Sequence, residues 1–124
     1  MLGLTRIILR LGRNPDAGFP DGNDQYGYVV HAPLDASGKL DPALWREKRE
    51  HCTVRRFHPL ETPADGWLRH RGDNWYFWYD EEDEGPAEPL FKLGAHELRP
   101  GEYVTVREAD GDALTFRVAE AVRV

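Results

Sequence analysis

Cysteine occurs once in the 124 residues, as Cys52. No intrachain disulfide can form, which excludes a disulfide-stapled extracellular scaffold. The sequence also lacks any run of about 20 apolar residues, the length that a membrane-spanning helix requires. Its apolar start is broken by Arg6 and Arg10, so neither a signal-peptide core nor membrane association is expected. The expected location is therefore cytoplasmic. Positive charge is in deficit: 16 lysines and arginines stand against 22 carboxylates, a net charge of −6. A nucleic-acid partner would demand the opposite balance and is not expected.

Motifs that carry chemistry are scarce as well. The histidines are His31, His51, His58, His70 and His96, and none has a second histidine at i+2 or i+4. His96-Glu97 opens like a zinc-protease helix, but position 100 is proline. Cys52 has no cysteine partner at CxxC spacing and shares a strand face with Val54, which reads as a buried thiol. No acid–base pair or activated nucleophile stands out. A catalytic role, a metal and a cofactor are not expected.

What is abundant is punctuation. Glycine and proline together number 21, from 12 and 9, which favours many short elements over a helical bundle. Residues 12–24 and 80–89 read as loops, the first rich in Asn, Pro, Asp and Gly, the second in carboxylates. Between them, period-two alternation predicts strands near 4–11, 25–32, 53–57, 67–71, 74–79, 90–93, 102–108 and 112–118. Asp41-Pro42 predicts a helix over about 42–51, with aspartate as the N-cap, proline at the first helical position and Trp45 docking the helix. The expected fold is a single mainly β domain over 1–124. It is a small antiparallel barrel or sandwich of about seven or eight strands, with the helix plugging or flanking one end.

Two hairpin registers follow from the turns. Gly72-Asp73 suits a two-residue turn, which pairs Trp67 with Trp78, Arg69 with Tyr76 and Leu68 with Phe77. A three-residue turn, Ala109-Asp110-Gly111, pairs Val106 with Leu114 and Val104 with Phe116, keeping apolar residues on one face. The tight turn also accounts for the adhesion-like tripeptide Arg71-Gly72-Asp73.

The most distinctive segment is Trp75-Tyr76-Phe77-Trp78-Tyr79, five aromatics that must occupy both faces of one strand. One face belongs to the core. The other carries Trp67, Arg69, Tyr76 and Trp78, residue types that dominate protein interfaces and also form ligand platforms. These four are the candidate binding residues. They are expected to be shielded, either inside the barrel, beneath the helix, or by a second copy of the chain. Residues 46–71 hold seven basic against four acidic side chains, while 80–89 holds six carboxylates and no base. Head-to-tail association fits that asymmetry. The segment 80–89 itself reads as a solvated loop. The expected function is a non-catalytic domain acting through protein contacts, with a homodimer among its assemblies. The alternative is a small-molecule-binding or enzymatic barrel whose pocket gathers histidines and aromatics.

Overall fold

The computed structural model describes residues 3–72, 74–79, 88–90, 97–107 and 112–124. Eight strands lie among them: β1 Thr5–Leu11, β2 Asn23–Ala32, β3 Thr53–Phe57, β4 Ala64–Arg71, β5 Asn74–Tyr79, β6 Glu88–Leu90, β7 Tyr103–Arg107 and β8 Ala113–Arg123. Each pairs antiparallel with the next, and β8 returns to β1, so the sheet closes into an up-and-down barrel. The expected barrel forms. Closure removes the exposed sheet edges that a sandwich would leave. Among the described residues, β6 meets β7 through the pair Leu90 and Val106. No helix among the described residues is long and apolar enough to cross a membrane.

An eight-stranded barrel is just wide enough for its inward side chains to fill. Ile7, Leu9, Val30, Leu68, Phe77, Val106 and Val118 are all buried, and each sits on the alternating face of its strand. Tyr28 lies at the centre, its ring 4.8 Å from Phe77 and 5.1 Å from Phe116. The void left between Ile7, Val30, Leu68 and Phe77 is about 20 Å³ and apolar. That is room for about one water and no ligand. Each large apolar side chain placed here contributes roughly 1.5–3 kcal/mol.

Both predicted registers form. Trp67 faces Trp78, Arg69 faces Tyr76 and Leu68 faces Phe77. Val104 faces Phe116 and Val106 faces Leu114, while the turn at 109–111 lies outside the described residues. Gly72 takes a φ of 63°, a left-handed conformation that glycine adopts without a Cβ clash. Gly66 answers a different need, because a Cβ there would collide with the Trp78 carbonyl of the crossing strand.

Helix α1 runs from Pro42 to Lys48 and tightens into a 3₁₀ turn over Arg49–His51. Together they fill the predicted span of 42–51. The Asp41 carboxylate accepts from the Ala43 and Leu44 amides at 3.0 and 3.3 Å, as an N-cap should. Trp45 is buried, and its indole N–H donates to the Leu68 carbonyl at 2.8 Å. The helix thereby closes one end of the barrel. Two loop boundaries are corrected. β2 starts at Asn23, so the first loop stops at 22. Glu88 and Pro89 pair with Phe77 and Tyr76 in β6, so the acidic loop gives way to strand two residues before the predicted Leu90. Residues 80–87 and 91–93 lie outside the described residues.

Candidate binding face

The hairpin of β4 and β5 divides its aromatics by parity. Leu68, His70, Trp75 and Phe77 point inward, and His70 stacks on Trp75 at 4.3 Å between centroids. Trp67, Arg69, Tyr76 and Trp78 therefore point outward. The Trp67 and Trp78 rings lie 6.1 Å apart with a 37° tilt. The Arg69 guanidinium sits 5.0 Å above the Trp78 ring, within cation–π range. All four side chains are half-buried. Two of the expected covers, the barrel interior and the helix, are not what shields them. The barrel interior does not receive them, and α1 packs through Trp45 against His70 and Trp75, on the inward side. Among the described residues, what flanks them is the ladder itself, with Thr53 paired to Trp67.

The outer wall continues across β4, β3 and β2. Thr53 pairs with Trp67 and Arg55 with Asp65, placing Thr53 and Arg55 on the same outward face. The Arg55 guanidinium donates to both Asp65 carboxylate oxygens, at 2.9 and 3.1 Å. Beside them, His31 Nδ1 meets the Thr53 hydroxyl at 3.2 Å. Partial burial lowers the His31 pKa from its ordinary 6.5, and the charge of Arg6 adds to that shift. His31 is therefore neutral near pH 7. These side chains and Val29 border an open depression of about 400 Å³. It was not legible in the sequence, because its residues come from three strands. The cross-strand pairing of Arg55 with Asp65 needs β4 to start at Ala64, earlier than alternation alone places it.

The remaining signals resolve separately. Cys52 is fully buried, its Sγ donates to the Lys48 carbonyl at 3.4 Å, and burial pushes the thiol up to about 11. A thiol held that high is not a nucleophile at neutral pH. His58 anchors the β3–β4 loop at the end of the barrel away from α1. Its Nδ1 accepts from the Leu60 amide at 3.0 Å, and its Nε2 meets Glu61 at 3.1 Å. Arg56 also reaches Glu61 and donates to the Tyr26 hydroxyl at 3.0 Å. This group ties down a loop with Leu60 at its tip, 90 % exposed. Sequence reading missed the group, although the i, i+3 spacing of His58 and Glu61 was a usable sign.

His51 lies exposed in the 3₁₀ turn, and His96 lies outside the described residues. Among the described residues no three His, Cys, Asp or Glu side chains converge as metal ligands would. Compared with protein-family models, with curated proteins and with solved structures, the chain matches none of them.

Proposed function

We propose that this protein is a non-catalytic barrel module that works through protein contacts made on the outer wall by Trp67, Arg69, Tyr76 and Trp78. The observation that carries the reading is the division of the β4–β5 aromatics. The inward set fills the barrel, and the outward set builds a ladder of two indoles, a phenol and a stacked guanidinium on the outer wall, half-buried and outside the barrel core. Tryptophan, tyrosine and arginine are the side chains that concentrate binding energy at interfaces. The void described within the barrel, about 20 Å³, is too small for a ligand, which favours the outer wall over an internal pocket.

A second copy of the chain is the partner this reading favours. Arg69 and Arg71 give the hairpin positive charge, and Asp80 to Glu84 supply five consecutive carboxylates on every copy. Charge complementarity of this kind steers association and fixes orientation. The same reading assigns the cytoplasm, where a lone cysteine stays reduced. Sedimentation velocity over a concentration series tests the proposal. The native chain should show a dimer that weakens with added salt, and Trp78→Ala should sediment as a folded monomer. A native chain that stays monomeric at every concentration would remove self-association. Trp78→Ala dimerising like the native chain would remove the ladder.

A further inference from the structure

We propose that the depression between β2, β3 and β4 binds a neutral polyhydroxylated ring, the chemistry of a saccharide. Its volume of about 400 Å³ lies in the range of small-molecule sites. Three features define the ligand. The first is an apolar plane. Trp67 stands between Trp78 on one side and the depression on the other, so the ring is held in place while one side borders the cleft. That surface suits the C–H face of a pyranose, which is apolar while its rim is polar.

The second feature is a fixed donor beside a fixed acceptor. Arg55 and Asp65 hold each other at 2.9 Å, yet both remain largely exposed, at 55 % and 71 %. A guanidinium carries five N–H donors and a carboxylate about four acceptor sites, so each keeps capacity after their mutual bond. Neighbouring ring hydroxyls, each both donor and acceptor, span such a pair. Thr53, paired with Trp67 across the strands, and His31 beyond it extend the polar rim.

The third feature is charge. Arg55 and Asp65 cancel, so a neutral ligand gains hydrogen bonds without separating an ion pair, and an anion would have to compete with Asp65. The depression opens on the outer wall rather than into the barrel. A longer saccharide can therefore run past it with only one ring engaged.

The test is a glycan array containing neutral and acidic oligosaccharides, followed by calorimetric titration of the best neutral hit at millimolar concentrations. The native protein should bind a neutral glycan. Trp67→Ala should abolish binding, and Asp65→Asn, an exposed change that spares the fold, should weaken it about tenfold or more, the weight of a charge-assisted hydrogen bond. Glu120→Gln, an exposed change on β8 away from the depression, should leave it unchanged. Absence of any neutral hit, a preference for acidic glycans or nucleosides, or binding that survives Asp65→Asn would each overturn the proposal.

Discussion

The two faces of the β4–β5 hairpin use almost the same residues for opposite ends. Inward, Leu68, His70, Trp75 and Phe77 face the interior shared with the other six strands and Trp45 of the helix. Outward, among the described residues, Trp67, Arg69, Tyr76 and Trp78 lean mainly on one another and stay half-buried. The chemistry of the side chains hardly differs, since each face carries aromatics and a nitrogen-rich group. What differs is whether the contact partners belong to this chain. An inward ring has its stabilising contacts in the folded monomer, whereas an outward one keeps part of its surface in water. Residual apolar surface of that kind is what a binding face retains.

Truncating one ring from each face gives the largest contrast. Phe77→Ala should cost about 3–5 kcal/mol, because the ring contacts Tyr28 at the barrel centre and its removal leaves a cavity. Trp78→Ala removes a larger side chain but should cost only about 1 kcal/mol of unfolding free energy, since the site opens to solvent rather than to a void. Urea titration of both variants decides it. Similar costs would mean the outer ladder is core in all but position.

A smaller effect is expected where the helix meets the inward face. Trp45→Phe keeps the packing but deletes the hydrogen bond to the Leu68 carbonyl. Leaving that acceptor unsatisfied should cost roughly 1–3 kcal/mol. One step further out, Asp41→Ala removes the cap that accepts two amides, for about 1 kcal/mol. Melting curves should rank the two in that order. The reverse ranking would mean the lid depends on its own helix start more than on docking.

How much of this was visible before the fold tracks how local each cause is. The hairpin register follows from Gly72 and two flanking alternations, and the β7–β8 register from the demand that Val104 and Val106 face Phe116 and Leu114. The helix start follows from Asp41-Pro42. By contrast, β6 was obscured because Glu88 and Pro89 are poor strand residues whose pairing comes from β5. Parity places Trp67 and Trp78 together but does not say which face is outside. That is decided by ring closure, a property of eight strands at once. The depression and the Tyr26, Arg56, His58 and Glu61 group likewise depend on contacts between segments that local patterns do not connect.

The outer wall should also show a weak pH signature. His31 has a folded pKa below its ordinary 6.5, so folding favours its neutral form. Its contribution is complete above 6.5 and is lost as pH falls from there through the lower folded value. Melting temperature recorded from pH 8 downward should dip across that window, and His31→Gln should flatten the dip. An unchanged profile would assign the slope to other groups.

The smallest stability effect should come from Asp65→Asn, and its smallness is informative. The Arg55–Asp65 pair is well formed at 2.9 Å, yet both partners are more than half exposed. Solvent screens their attraction, and holding two side chains in one geometry costs entropy, so exposed pairs contribute about 0–1 kcal/mol. Asparagine keeps the shape and one acceptor oxygen. Thermal and urea unfolding should therefore coincide with the native chain within about 0.5 kcal/mol. A loss above about 2 kcal/mol would mean that the pair is a buried structural bridge and that the outer wall, like the inner one, is held for stability. A silent change in stability assigns this charged pair to the half of the barrel that is kept for contact with something else.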